Sequence, residues 1–249
     1  WEQAGIALPG YDVEAVSEKA KEEPGWVHFG IGNIFRVFIG GIADGLLEEG
    51  VLDRGITCVE TFDYDVVDKI YKPYDNLGLN VILHGDGTRE YKVLGALAEA
   101  VKAQSSDPAQ WNRLKEIFAG KSLQMVSFTI TEKGYCIDPA TGKLDPTHPR
   151  IIHDLENPTL PQSAPGILVE ALARRRERGL PPFTVLSCDN IPDNGHVVKN
   201  AVLGMAEKRS PALADWIADN VSFPGTMVDR IVPAATPESL AEIAAVLGV

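Results

Sequence analysis

The sequence predicts an α/β fold of the Rossmann-like kind, a mostly parallel open sheet flanked by helices with a β-hairpin insertion. An apolar run at 26–29 is followed by a Gly-Ile-Gly turn and then by a helical pattern. Further strand patterns alternate with helical ones along the chain, which favours parallel strands joined by helical crossovers. The stretches 79–83 and 89–94 are separated by a Gly-Asp-Gly turn, which is typical of a hairpin.

Each remaining element follows from a local pattern. Further strands are predicted at 56–59, 123–130, 183–187 and 227–232. Helices are predicted at 97–103, 111–118, 164–178, 196–208 and 211–220, with a last one after Thr236. Ser163 and Thr236 are suited to cap helices, whereas Gly179 is suited to end one. The proline-rich stretch 138–163 is long for a connection, so we expect an irregular excursion that covers a site.

Composition and charge limit the possible functions. The 249 residues include 23 Lys and Arg against 35 Asp and Glu, and this net charge of -12 argues against nucleic acid and anionic membranes as partners. No apolar run suits a membrane span and no signal-peptide pattern opens the chain, so we expect a cytoplasmic metabolic protein. The three cysteines form no cluster, so we expect no metal site. The basic run 174–178 is expected to be a solvated helix face.

The glycine turn after the first predicted strand is one candidate site. Gly30 would allow a tight turn, and Gly32 would let the backbone approach a pyrophosphate at the helix N-terminus. The third glycine of the usual fingerprint is absent, because Phe35 stands in its place. An ordinary turn is the alternative, and the position between a strand and a helix disfavours it.

The acidic segment after the predicted strand 56–59 is a second candidate. Glu60 lies about thirty residues past Gly30, beyond the roughly 20 typical of a carboxylate that binds the adenosine ribose. Asp63 and Asp65 follow, and the neighbouring sequence offers no arginine for a 2′-phosphate, which predicts NAD rather than NADP. The alternative is an acidic loop that faces water.

Polar residues also follow the later predicted strands. Uncharged amides and hydroxyls there suit the orientation of a carboxamide or a sugar hydroxyl. The stretches concerned are 127–135, 187–195 and 223–233. Turn chemistry would equally explain Asn190 and Asn194, and Asp229 with Arg230 could be a structural ion pair.

Four segments together resemble one enzyme family. They are 28–36 (HFGIGNIFR), 129–135 (TITEKGY), 187–195 (SCDNIPDNG) and 223–233 (FPGTMVDRIVP), of which the last is the most specific. Their order and spacing resemble those of the long-chain mannitol dehydrogenase family, which includes mannitol 2-dehydrogenase, fructuronate reductase (mannonate oxidoreductase) and tagaturonate reductase. The resemblance covers nearly the whole chain.

The resemblance implies which residues contact the cofactor. Gly30 and Gly32 would face the pyrophosphate, and Glu60 or Asp63 would bind the adenosine ribose. The implied cofactor contacts are Gly30, Gly32, Asn33, Phe35, Arg36, Glu60, Asp63, Thr131 and Glu132, the last two near the nicotinamide. The family commonly has His where Phe35 stands, so the contacts at this position depart from the family form.

The resemblance also implies the domain organisation. Residues 1–249 would form a dinucleotide-binding domain, and a helical catalytic domain is expected after residue 249. That domain would supply the lysine base within a Lys-x4-Asn-x2-His motif, which this chain does not contain. Asn190 would polarise the substrate oxygen. Asn194, Asp229 and Arg230 would lie on the substrate side.

The function so implied is an NAD-dependent oxidoreductase that interconverts a secondary alcohol and a ketone on a sugar acid or polyol. D-Fructuronate and D-mannonate are the favoured pair, with mannitol 2-dehydrogenase or a related polyol dehydrogenase as the alternative. A non-catalytic dinucleotide-binding module is the alternative of another class. A Rossmann-type methyltransferase or sugar-nucleotide enzyme would require a different cofactor.

Overall fold

The computed structural model describes residues 2–228 and 230–248. The strands are β1 Ile6–Ala7, β2 Trp26–Phe29, β3 Ile56–Glu60, β4 Gly78–Leu83, β5 Arg89–Leu94, β6 Leu97–Lys102, β7 Met125–Phe128, β8 Ile137–Asp138, β9 Lys143–Leu144 and β10 Thr184–Ser187. The α-helices are α1 Val13–Glu22, α2 Gly40–Glu48, α3 Pro108–Ala119, α4 Thr131–Gly134, α5 Pro149–Glu156, α6 Ala164–Glu177, α7 Asn194–Arg209, α8 Pro211–Asn220 and α9 Pro237–Leu247. Short π-helical stretches, Phe35–Ile39 and Val67–Tyr71, precede α2 and follow β3.

The central sheet has five parallel strands in the order β10-β7-β2-β3-β6. The chain passes from β2 to β3 on one side and later to β7 on the other, so the strand order reverses at β2. In open parallel sheets, a ligand crevice forms outside the carboxyl ends of the strands at such a reversal. The predicted Rossmann-like fold is therefore confirmed, with its crevice at the ends of β2 and β7.

The predicted β-hairpin is also confirmed, and it belongs to a second sheet. β4 and β5 pair antiparallel along their full lengths. The turn closes with a hydrogen bond from His84 N to Thr88 O at 3.0 Å, and Gly87 has a left-handed φ of 84°. β1 pairs parallel with β5, which gives the sheet order β1-β5-β4.

Side chains of β2 divide between two cores, because successive residues of a strand point to opposite faces. Val27 and Phe29 enter the core beneath α3, α6 and α7, where the Phe29 and Phe128 rings lie 5.3 Å apart. His28 faces the other side and stacks on Phe35 with 4.1 Å between ring centroids. Each fully buried Phe contributes about 1.5–3 kcal/mol. Packing on both faces fixes the end of β2, from which the glycine turn leaves.

The prediction of a helix at 97–103 is wrong, because Leu97–Lys102 forms strand β6 and pairs parallel with β3. Alanine, glutamate and lysine all favour helices, but by less than about 1 kcal/mol per residue, and tertiary pairing overrides such preferences. β3 is buried along its whole length. Its backbone groups need a partner on the side away from β2, since unpaired buried N–H and C=O groups are costly.

The prediction of a strand at 227–232 is wrong for the described part of the chain. Residues 221–228 and 230–236 form an irregular segment instead. Met227 and Ile231 are 91% and 88% exposed, whereas Val228 packs in a core cluster, so only part of the apolar pattern that predicted a strand faces the core. A backbone hydrogen bond from Val185 N to Ser222 O, 3.0 Å long, joins the segment to β10.

The stretch 138–163 contains more regular structure than the predicted irregular excursion. β8 and β9 form a short hairpin, and α5 begins at Pro149, where the missing N–H of proline removes no helical hydrogen bond. Asp154 on α5 is fully buried and accepts hydrogen bonds from the backbone N–H groups of Gln162 at 2.7 Å and Ser163 at 2.9 Å. α5 is thereby tied to the start of α6, whose predicted cap Ser163 is confirmed.

The other predicted helices are confirmed as α3, α6, α7, α8 and α9, and Thr236 caps the last of them. Helix α1 was not predicted, although its cap is of an ordinary kind: Asp12 accepts a hydrogen bond from Ala15 N at 3.0 Å. Within the described residues, no helix has the length and apolarity that crossing a bilayer requires.

The basic run 174–178 is not a solvated face throughout, and for Arg175 that prediction is wrong. Arg175 is 1% exposed. Its guanidinium donates to the carbonyl oxygens of Phe118 at 2.7 Å, Gly120 at 2.8 Å and Pro181 at 2.7 Å. Arg175 therefore joins α6 to the end of α3 and to the loop before β10.

Replacing Arg175 with alanine should lower the free energy of unfolding by about 3 kcal/mol or more, because three carbonyl oxygens lose a charged donor. Arg176→Ala, which removes the same charge from an exposed neighbour, should change it by less than about 0.5 kcal/mol. Urea unfolding followed by circular dichroism measures both values. Equal stability of the two variants would contradict the bridging role of Arg175.

Candidate functional site

A cleft of about 480 Å³ opens where the carboxyl ends of β2, β3 and β7 meet. This volume lies within the roughly 300–1,000 Å³ typical of ligand sites. The cleft is lined by Gly30, Ile31, Gly32, Glu60, Thr61, Phe62, Thr129, Ile130, Thr131, Lys133, Gly134, Cys136, His148, Arg150 and Ala164. Four of the residues predicted from the sequence are thus brought together: Gly30, Gly32, Glu60 and Thr131.

Gly30 and Gly32 serve different purposes in the turn after β2. Gly30 has a φ of 86°, and a Cβ on it would lie 2.1 Å from Thr129 O, so a larger residue does not fit. Its N–H donates to Val59 O at 3.0 Å. At Gly32 a Cβ would meet no atom within 4 Å. The fold therefore requires Gly30, whereas Gly32 leaves its backbone open to a ligand.

A chain of hydrogen bonds beneath the turn sets the tautomer of His28. Trp26 Nε1 donates to Ser127 Oγ at 2.6 Å, and Thr129 Oγ1 donates to Gly30 O at 2.6 Å. His28 lies between them, with Nδ1 2.6 Å from Ser127 Oγ and Nε2 2.9 Å from Thr129 Oγ1. Because the Thr129 proton is used on Gly30, Nε2 carries the imidazole hydrogen. Burial lowers the pKa of His28 from 6.5 to about 3, so the ring stays neutral.

Glu60 joins the turn after β2 to the loop after β3. Its Oε1 accepts hydrogen bonds from the N–H groups of Thr61 at 2.8 Å and Phe62 at 3.0 Å. Its Oε2 accepts from the N–H of Ile31 at a longer 3.4 Å. A carboxylate can accept about four hydrogen bonds in all, so Oε2 keeps capacity for a ligand hydroxyl. The geometry is therefore compatible with the predicted ribose contact.

The acidic residues that follow Glu60 do not line the cleft. Asp63 is exposed, and Asp65 forms an exposed ion pair with Lys69 at 2.6 Å. The premise that no arginine lies near this loop is wrong, because Arg150 reaches it from α5. The Arg150 Cζ atom lies 5.5 Å from the centre of the Phe62 ring. Arg150 and Phe62 lie far apart in the sequence, so their contact could not be predicted from local patterns.

Asp189 fixes the segment after β7, and it was not among the predicted site residues. Its carboxylate accepts hydrogen bonds from Thr131 N at 2.9 Å, Ile130 N at 3.2 Å and the Tyr135 hydroxyl at 2.6 Å. These bonds hold Thr131 at a φ of 63°, a left-handed conformation unfavourable for a β-branched residue. Burial raises the pKa of Asp189, and the same hydrogen bonds oppose that shift. An aspartate directly after a predicted strand was the available signal.

Several predicted cofactor contacts lie beside the cleft and do not line it. Phe35 is fully buried and stacked on His28, so its ring faces the core. Asn33 is exposed at the helix start and accepts a hydrogen bond from Arg36. Glu132 is also exposed. Their contacts with a cofactor remain predictions.

The two predicted asparagines on the substrate side differ in accessibility. Asn190 is exposed directly after Asp189. Asn194 is 1% exposed, and its amide nitrogen donates to Asp189 O at 3.0 Å and Thr226 Oγ1 at 2.8 Å. Its Oδ1 accepts from Thr226 N at 2.9 Å. Asn194 therefore ties the end of β10 to the irregular segment, and Asn190 is the one available to a ligand.

Arg230, predicted on the substrate side, lies near an aromatic ring. The Arg230 Cζ atom lies 5.1 Å from the centre of the Phe38 ring, next to the helix that follows the glycine turn. Asp229, predicted on the substrate side, lies outside the described residues, so its pairing with Arg230 stays a prediction. Across 2–228 and 230–248, no group of three or more His, Cys, Asp or Glu side chains is placed to hold a metal ion.

Comparison with known proteins decides the family. A family model described as the mannitol dehydrogenase Rossmann domain matches residues 24–246. The chain belongs to the mannitol dehydrogenase family. Among curated proteins, uncharacterized oxidoreductase YeiQ of Escherichia coli (strain K12) is 52% identical over 244 residues, covering 98% of this chain and 48% of YeiQ. D-Mannonate oxidoreductase of the same organism is 44% identical over 247 residues, covering 98% of this chain and 49% of that enzyme.

A solved structure agrees with the family match. The Pseudomonas fluorescens mannitol 2-dehydrogenase ternary complex with NAD and D-mannitol is similar with a TM-score of 0.86 at 33% sequence identity. The similarity covers 97% of this chain and 47% of that chain. The resemblance seen in the sequence is confirmed. The chain spans about half the length of the relatives it matches.

The neutral state of His28 predicts sensitivity to acid. Its pKa falls from 6.5 to about 3 on folding, so between these values the unfolded chain binds a proton that the folded chain does not. The corresponding stability is present above pH 6.5 and is lost as the pH falls toward 3, by about 1.4 kcal/mol per pH unit in mid-range.

His28→Gln keeps an uncharged N–H donor and cannot titrate, so it should lose less stability than the wild type between about pH 6.5 and pH 4.5. Urea unfolding at both pH values measures the difference. Parallel losses in the two proteins would show that His28 is not the responsible group.

Proposed function

We propose that this chain is the NAD-binding half of an oxidoreductase that interconverts a secondary alcohol and a ketone on a sugar acid or polyol. The observation that carries the proposal is the cleft at the reversal of strand order, where Gly32 leaves its backbone open to a ligand. Family membership supports the cofactor class, because a structural relative is described as a complex with NAD and D-mannitol.

The cleft residues fit a dinucleotide at three places. Backbone N–H groups after the glycine turn, at the start of a helix, attract a diphosphate. Glu60 Oε2 has room for a ribose hydroxyl, since its contact with Ile31 N is long at 3.4 Å. Thr131 lies on the β7 side of the same cleft, where the nicotinamide half would extend. When bound, the nicotinamide supplies the hydride acceptor for alcohol oxidation.

Asn190 is the residue of this chain that we assign to the reacting oxygen. Its exposed amide can donate a hydrogen bond to a carbonyl or alkoxide oxygen, which stabilises developing negative charge. The preceding Asp189 is held by three hydrogen bonds, so the backbone that carries Asn190 has a fixed position. We assign the proton acceptor to a lysine of a following helical domain.

An exposed apolar surface supports the presence of that further domain. Met227 and Ile231 on the irregular segment are almost fully exposed, and Leu240 on α9 is 54% exposed. α9 contributes no buried residue to this chain. Apolar surface of this kind commonly marks a contact with another domain or protein. The relatives' greater length leaves room for such a domain.

D-Fructuronate and D-mannonate are the substrate pair we favour. Support comes from the relative named D-mannonate oxidoreductase, which is 44% identical to this chain. Mannitol and fructose are the second candidate pair, supported by the mannitol in the structural relative's complex. A non-catalytic dinucleotide-binding module is the alternative of a different class.

Gly32→Ala should weaken NAD binding at least about tenfold, because the added methyl group would stand where the diphosphate approaches the backbone. Gly45→Ala is the matched control, since a Cβ there also meets open space but lies on α2 and does not line the cleft. Isothermal titration calorimetry of each protein with NAD, NADP and S-adenosylmethionine provides the readout. Tighter binding of S-adenosylmethionine than of NAD would overturn the dehydrogenase assignment, and tighter binding of NADP would overturn the choice of NAD.

The full-length protein that contains this chain should reduce fructuronate with NADH more efficiently than tagaturonate or fructose, and should oxidise mannitol poorly. Asn190→Ala should lower its kcat by roughly 10²–10³-fold while leaving NAD affinity unchanged, because the amide acts on the reacting oxygen. Higher kcat/KM with fructose and mannitol would favour the polyol alternative. No turnover with all four compounds would favour the non-catalytic module.

A further inference from the structure

The segment between β7 and α6 brings positive charge to the cleft. Lys133 and Arg150 line it beside the glycine turn, although the chain carries a net charge of -12. The acidic residue of the lining is Glu60, whose carboxylate is engaged by three backbone N–H groups. An incoming ligand therefore meets two cationic side chains, Lys133 and Arg150, against a single carboxylate in the cleft lining.

Arg150 is carried by a fixed backbone. His148 Nδ1 accepts a hydrogen bond from Arg150 N at 3.3 Å, which caps α5. Further along the helix, the Ser163 hydroxyl donates to Asp154 Oδ2 at 2.5 Å. A Cβ on Gly166 would lie 2.1 Å from that same oxygen, so α5 packs closely on α6. The helix that presents Arg150 is thus in place before a ligand arrives.

The guanidinium of Arg150 differs from those of three other arginines in having no carboxylate partner among the described residues. Arg54, Arg113 and Arg209 each pair with a carboxylate. For Arg150, no carboxylate of the described residues lies within 4.0 Å. Its Cζ atom lies 5.5 Å from the centre of the Phe62 ring, which is 78% exposed at the cleft. Stacking on a ring face leaves the N–H groups at the edge of the guanidinium available to an anion.

We propose that Arg150 binds a phosphate group on the adenosine half of the dinucleotide, donating N–H groups to the phosphate oxygens. The inference rests on the proposed function. Arg150 shares the cleft with Gly32, where a diphosphate would approach, and with Glu60, where the adenosine ribose would lie. Both a diphosphate and a ribose 2′-phosphate offer the planar guanidinium the same paired acceptors.

Arg150→Met removes the charge and the donors while keeping an unbranched stem beside Phe62. Calorimetric titration of the wild-type chain and the variant with adenosine, ADP, 2′,5′-ADP, NAD and NADP separates the contributions. The variant should bind one or both phosphate classes at least about tenfold more weakly, and adenosine less than about twofold more weakly. A loss for ADP and NAD assigns the diphosphate. A loss confined to 2′,5′-ADP and NADP assigns the 2′-phosphate.

Arg176→Met is the matched control, because it removes an exposed arginine at the end of α6 and should leave every affinity unchanged. Melting temperatures of both variants verify that the fold is retained. Unchanged affinity of Arg150→Met for all phosphate ligands, or an equal loss of affinity for adenosine, would overturn this inference. The proposed function would still stand in that case if the wild type binds NAD. Failure of the wild type to bind NAD or NADP would overturn both.

Discussion

The contact between Gly30 and Thr129 determines the shape of the site. The two backbones come so close that a Cβ on Gly30 would lie 2.1 Å from Thr129 O. Thr129 Oγ1 donates to Gly30 O, and His28 supports the threonine from the buried side of the sheet. The residues that follow β2 and β7 line the cleft. The position of the cleft therefore depends on the close contact between these two backbones. A neutral imidazole suits the position between Ser127 and Thr129, since it donates a hydrogen bond at one nitrogen and accepts one at the other.

Buried carboxylates organise the loops around that contact. Glu60, Asp154 and Asp189 each accept hydrogen bonds from backbone N–H groups of another segment of the chain. Each aspartate or glutamate thereby exchanges its hydration for fixed protein donors, as a buried charge must. An acidic chain can in this way surround a cleft whose free side chains are cationic, because its nearby negative charges are already bound to the backbone.

Local patterns predicted much of this fold, and contacts between distant segments account for what was missed. The run at 26–29, the hairpin and the cap at Ser163 depend on neighbouring residues, so periodicity and capping rules were sufficient. Leu97–Lys102 became a strand because β3 required a partner, and Arg175 is buried because three distant carbonyl groups meet it. Gly30, Gly32, Glu60 and Thr131 converge because parallel strands end at one edge. Arg150 could be placed at the cleft only by knowing which loops touch, and the same holds for the hydrogen-bond partners of Asp189.

Helix α5 stands outside the parallel sheet and is fastened to it through Asp154 and the start of α6. Strand register, the glycine turn and the end of β10 do not depend on which side chain occupies the second position of that helix. Residue 150 can therefore change without disturbing the scaffold that surrounds the cleft. Under the assignment proposed for Arg150, a change at this position would alter which dinucleotide the cleft prefers while the sheet and the glycine turn stay the same.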